Sequence, residues 1–143
     1  MKIENSIKLT FSAISENESF ARSVIGCFAL RLNPNLAELS DIKTAVSEAV
    51  TNSIVHGYPN SKGEITIESK IINNVIHINV FDNGVGIENI EEALVPFYTT
   101  KPEEERSGMG FTIMQSFMDK VRVNSEKGKG TAVYMEKMVK NGA

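Results

Sequence analysis

From Ser15 to His56 the apolar residues recur at helical spacing, and from Glu64 to Asp82 they alternate. That change of period constrains the fold most, because each period buries one face of one kind of element. Ile7, Leu9 and Phe11 alternate with Lys8 and Thr10, which predicts a strand from Ile3 to Ile14. Ser15 and Glu18 have capping-box spacing, and a helix is expected to about Leu32, stopped by Asn33-Pro34. Its core stripe is Ala21, Val24, Ile25, Phe28, Ala29 and Leu32. A second helix is expected over about Leu36 to His56, with Ile42, Ala45, Val46, Ala49, Val50, Ser53 and Ile54 on one arc and Gly57 and Pro59 ending it. Strands follow at Glu64–Ile71 and Val75–Asp82, joined by the turn formers Asn73-Asn74. A third helix is expected from near Ser107–Gly108 to Lys120, and strands at Val121–Ser125 and Thr131–Met138 flank the Gly128-Lys129-Gly130 turn. Elements in this order predict an α/β two-layer sandwich, with helices on one face of a mostly antiparallel, mixed sheet.

Between Asp82 and the third helix the texture changes. Asn83 to Gly110 carry turn-like glycines, Pro96, Pro102 and the acidic run Glu103-Glu104-Glu105, with a short helical stretch near Ile90–Leu94. A loop region of this length inside a compact domain is usually functional. The chain has 143 residues, 41% of them hydrophobic and 23% charged, which fits one globular domain over residues 1–143. A formal net charge of -3 argues against a nucleic-acid binder that works by neutralising phosphates. Cys27 is the single cysteine and His56 and His77 are the only histidines, so an internal disulfide and a Cys/His metal cluster are excluded. Glu4, Asn5, Ser6 and Lys8 break the N-terminal apolar residues, leaving neither a signal peptide nor a membrane span. A cytoplasmic protein without membrane contact is therefore expected.

Three clusters could carry chemistry. Glu48 and Asn52 lie one turn apart at the edge of the apolar arc, where a carboxylate could take a proton and an amide oxygen could hold a hard cation. The same pair also reads as a boundary glutamate beside an asparagine. Asp82-Asn83-Gly84-Val85-Gly86-Ile87 follows a β-branched strand, so Gly84 and Gly86 could let a ligand lie against bare backbone. Asp82 could accept from an exocyclic amine such as adenine's and would repel the carbonyl of guanine. The competing reading is a hairpin turn at Asn83-Gly84. Ser107-Gly108-Met109-Gly110-Phe111 could offer free N–H groups and a positive helix end to an anion, with Lys101 and Arg106 just before it. It also reads as a plain helix entry. Asn89 and Ile113 stand where a dinucleotide fingerprint needs its third glycine, and the Gly128–Thr131 segment lacks the P-loop pattern.

Taken in order, these clusters resemble the GHKL ATP-binding superfamily, which includes gyrase, Hsp90, histidine kinases and MutL. Glu48–Asn52 matches its N box, Asp82–Gly86 its first glycine box, Pro96–Lys101 its F-box region and Gly108–Gly110 its second glycine box. Ser47–Asn52 with His56-Gly57-Tyr58, and Thr99–Pro102 with Arg106–Thr112, resemble more narrowly the bacterial anti-sigma factor serine kinases of the sporulation sigma-F type. The resemblance implies a homodimer that binds ATP or ADP with Mg²⁺, holds a sigma factor inactive and phosphorylates a serine of an anti-anti-sigma factor. It implies Glu48 as the base, Asn52 as the Mg²⁺ ligand and Asp82 as the adenine reader, with Gly84 and Gly86 shaping the pocket and Thr131 supporting the adenine. It places Thr99, Lys101, Arg106, Gly108, Met109 and Gly110 around the phosphates, on a lid spanning Phe97 to Gly110. The rival from the binding class is a nucleotide-controlled module that only sequesters the sigma factor; a retained Glu48 argues against it, because a pure binder needs no base. Phe20, Cys27 and Leu30 fall off the first helix's core stripe, and their grouping on the opposite side predicts burial on association with another chain.

Overall fold

The structure is a computed structural model that describes residues 3–58, 62–87 and 110–140. Strand β1 (Ile3–Ser12) is followed by helices α1 (Glu16–Ala29) and α2 (Leu36–Asn52), strands β2 (Glu64–Ile72) and β3 (Val75–Asp82), helix α3 (Gly110–Phe117), and strands β4 (Lys120–Glu126) and β5 (Gly130–Met138). The five strands form one sheet in the order β1-β2-β3-β5-β4. Every described pairing is antiparallel, in keeping with the expected mostly antiparallel sheet, and no parallel pair occurs among the described strands. Along β3 the alternation is regular: Ile76, Ile78, Val80 and Asp82 are buried and the residues between them are half-buried. Ile76, Ile78 and Val80 share one core with Ile25, Ile42, Val46 and Val50 of the helices. Helix α2 packs against both α1 and α3, which makes it the central helix of its layer. Because β5 lies beside β3, Thr131 at the start of β5 pairs directly with Asp82 at the end of β3.

Two expected helix ends change for physical reasons. Ser15 does not cap α1 with its hydroxyl, since its own backbone is already helical at φ -56° and ψ -35°. Glu18 is instead drawn across to α2, where Ser47 Oγ donates to its Oε2 at 2.6 Å, and Arg22 pairs with it at 3.1 Å. The capping box that does form is on α2: Asn35 accepts from the Glu38 N–H, and Glu38 accepts from the Asn35 N–H. Helix α3 ends at Phe117 rather than Lys120. Lys137 Nζ donates to the Phe117 carbonyl at 2.7 Å, a cation on the negative end of the helix, and Asp119 Oδ2 accepts from the Met138 N–H at 2.6 Å. The chain is thereby pulled into β4 just past Phe117. The proposed start of this helix near Ser107, and the helical stretch near Ile90–Leu94, lie outside the described residues.

On the face of the sheet away from the helices, Tyr134 donates to Glu136 Oε2 at 2.7 Å and meets His77 Nδ1 at 2.6 Å. A phenol has one proton, so the second bond is donated by the His77 N–H. Burial, then the Glu136 carboxylate, pushes the Tyr134 phenol up to about 12. The hydrogen bond from Tyr134, and then Lys120, holds the Glu136 carboxyl below its ordinary range.

Candidate functional site

Helix α2 stops being α-helical after Asn52, and Ser53–Gly57 form a π-helical turn. Turns of this kind widen the helix locally and are found frequently at functional sites. Here the turn brings Ser53 to the end of β3, where its Oγ donates to Asp82 Oδ2 at 2.7 Å. Both side chains are buried, at 2% and 5% exposure. The other carboxylate oxygen, Oδ1, accepts the Gly84 N–H at 2.9 Å. An ionised carboxylate only accepts and has about four lone-pair sites. After two bonds Asp82 keeps acceptor capacity that only a donor can use, and burial makes an unused acceptor costly.

The loop Asn83–Ile87 is held by its amides. Asn83 N–H donates to the Tyr58 hydroxyl at 2.8 Å, Val85 N–H to the Gly57 carbonyl at 2.8 Å and Ile87 N–H to Ser125 Oγ at 2.6 Å. From the other side, the Gly128 N–H donates to the Val85 carbonyl at 2.6 Å. The glycines serve this packing first. A Cβ on Gly84 would stand 2.0 Å from the Gly57 carbonyl oxygen, and one on Gly86, whose φ is +78°, would stand 2.2 Å from that of Glu126. The expected bare backbone for a ligand is in fact occupied on those sides by the protein's own backbone. Asn83-Gly84 is also not a hairpin turn, since the next neighbour of β3 is β5.

Asp82, Gly84, Gly86 and Thr131 are therefore brought into one cluster. Asn52 joins it through the adjacent Ser53, and Glu48 lies one turn earlier on α2; both are half-buried. Gly110 opens α3, which packs on α2. Thr99, Lys101, Arg106, Gly108 and Met109 lie outside the described residues. Sequence reasoning missed Ser53 as the partner of Asp82, and Tyr58 and Ser125 as anchors of the loop. Two of these left a signal. Ser53 is a hydroxyl inside an apolar arc, and Ser125 falls on the inward phase of β4 after Val121 and Val123, where a polar group needs a partner.

The donor set fits an adenine nucleotide, with an acceptor-only carboxylate at the base of a fixed loop. It also fits a nucleotide-borne cation. No group of three or more His, Cys, Asp or Glu able to hold a metal occurs among the described residues. Mg²⁺ characteristically takes one or two protein oxygens and completes its shell with phosphates and water, which the Asn52 amide suits.

A nucleotide-binding domain of this kind defines a class, and residues 11–137 match the family model described as the histidine kinase-like ATPase domain. The chain belongs to that family. Among curated proteins it is 56% identical over 135 residues to the anti-sigma F factor of Clostridium acetobutylicum, covering 94% of each chain. It is 55% identical over 139 residues to the anti-sigma F factor of Thermoanaerobacter sp. strain X514, covering 97% of each. Among solved structures, the RsbU and RsbW domains of Rv1364c from Mycobacterium tuberculosis match 94% of this chain and 32% of that longer one, with a TM-score of 0.69 at 17% identity. The catalytic domain of the histidine kinase ThkA matches with a TM-score of 0.57 at 17% identity, covering 93% of this chain and 96% of that one. These two likenesses concern the fold. No helix among the described residues is long and apolar enough to cross a membrane.

Proposed function

We propose that this chain is a cytoplasmic, single-domain anti-sigma factor of the sigma-F type that uses ATP to phosphorylate a serine of its anti-anti-sigma factor. The observation that carries the reading is the buried Asp82 carboxylate, tied through Ser53 to the helix that presents Glu48 and Asn52. The likeness to anti-sigma F factors over 94–97% of the chain supports a sigma factor as partner.

In this reading Asp82 accepts the exocyclic amine of adenine with its remaining lone pairs, and the hydroxyl of Thr131, its register partner on β5, supports the base. Asn52 holds Mg²⁺, which when bound offsets negative charge on the phosphates. Glu48 orients the acceptor serine and takes its hydroxyl proton. As the serine oxygen bonds to the terminal phosphorus, the bond from that phosphorus to the bridging oxygen breaks and ADP leaves. Thr99, Lys101, Arg106, Gly108, Met109 and Gly110 complete the phosphate site in the proposal. Calorimetric titration tests the base-reading half: ATP is expected to bind and GTP to be excluded, and equal binding would remove Asp82 from its role.

The proposal includes a homodimer. Phe20 and Leu30 are 52% and 56% exposed, and Cys27 is exposed on the same helical side, away from the buried Ala21, Ile25 and Phe28. Replacing Phe20 and Leu30 together with Ser is expected to shift the protein towards monomer in sedimentation while ATP binding persists. A double variant that stays dimeric but loses the sigma factor would assign this face to the sigma factor.

A further inference from the structure

Ser125 in β4 is the meeting point of three hydrogen bonds. Its Oγ accepts the Ile87 N–H at 2.6 Å, lies 2.9 Å from the Gly130 carbonyl and 2.7 Å from Thr131 Oγ1. Ser125 is also the register partner of Thr131, so the two hydroxyls face each other across β4 and β5. Around them the backbone has no slack. A Cβ on Gly130, whose φ is +100°, would stand 2.1 Å from the Asp82 carbonyl oxygen.

We infer that Ser125 is a positioning residue for the nucleotide site: it pins the Ile87 end of the loop after Asp82 and orients the hydroxyl of Thr131. The inference rests on the adenine-nucleotide reading of that site. Proton counting carries it, because a serine hydroxyl has one proton and two lone pairs. One lone pair is taken by the Ile87 N–H. When the Ser125 proton lies on the Gly130 carbonyl, the contact with Thr131 needs the threonine proton, and Thr131 offers a ligand only lone pairs. When the Ser125 proton turns to Thr131 Oγ1, the threonine proton is released to donate. Either way the Thr131 oxygen is held in place and its polarity follows the rotation of one hydroxyl, at the expense of one bond to Gly130. Without Ser125 the Thr131 hydroxyl rotates freely and the Ile87 amide has lost its acceptor.

The test is a double-mutant cycle on the full chain, with ADP as the probe. Ser125→Ala is expected to raise the Kd for ADP roughly 5- to 20-fold, on the scale of one or two hydrogen bonds. Thr131→Val is expected to cost a similar factor, and the double variant little more than the worse single one. In the ligand-free protein, Ser125→Ala should speed hydrogen exchange of the Ile87 amide roughly tenfold or more, as its local protection is lost. Ser125→Thr and Ser125→Val have one shape and differ in the hydroxyl, so they decide the matter even if the alanine variant does not fold. Thr should restore ADP affinity and Val should not. Multiplying losses in the double variant, or equal affinities for the Thr and Val variants, would overturn the inference. Failure of the wild type to bind ADP would instead overturn the nucleotide reading, with Ile87 exchange still reporting on the Ser125 anchor.

Discussion

Glu48→Gln should lower the rate of phosphate transfer by roughly 100-fold or more and leave ATP affinity within about twofold of wild type, the usual signature of losing a general base. The substitution keeps the side chain's length and its half-buried place one turn before Asn52 on α2. It removes the negative charge and with it the capacity to take a proton. The proposed adenine contact is a separate construction, since Asp82 is fixed by Ser53 and by the Gly84 amide. Binding and chemistry should therefore separate cleanly in titration and single-turnover measurements. A parallel collapse of ATP binding would make Glu48 a structural residue.

Asp82→Asn has the second large effect, on base selection. The backbone N–H of Gly84 cannot turn, so the amide oxygen must stay at Oδ1, facing it at 2.9 Å. The amide nitrogen then takes the place of Oδ2, where the Ser53 hydroxyl can rotate to accept. The fold survives this exchange. The ligand does not fare as well: the charge is gone, and an N–H now confronts the amine of adenine. A loss of about 1–3 kcal/mol in ATP affinity is expected, roughly 5- to 150-fold. The same N–H suits the carbonyl of guanine, so discrimination against GTP should fall in the same variant. Undiminished exclusion of GTP would place the adenine contact elsewhere.

The strands were legible because β2 and β3 keep strict alternation, and the Asn73 turn has the positive φ of 56° that its residue type favours. Asp82 was legible as a candidate because an acid ending such a strand before Gly84 and Gly86, in order with the other clusters, resembles a first glycine box. Its partners were not. Ser53 reaches it only because α2 relaxes into a π turn, and periodicity over residues 36–56 gives no sign of that widening. Ser125 and Tyr58 reach the loop through the sheet order and the close approach of separate segments, which exist only after folding. The Ser15 box failed for a related reason, as a local pattern competed with Ser47 and Arg22 for Glu18 and lost.

The most direct measurement is incubation of the protein with labelled ATP, Mg²⁺ and a candidate anti-anti-sigma protein, followed by mapping of the modified residue. The account predicts one phosphoserine on the partner, formed by the wild type and reduced roughly 100-fold or more with Glu48→Gln. ATP bound at the Asp82 site with no phosphate transferred to any serine or threonine would contradict it, leaving a protein that only sequesters its sigma factor.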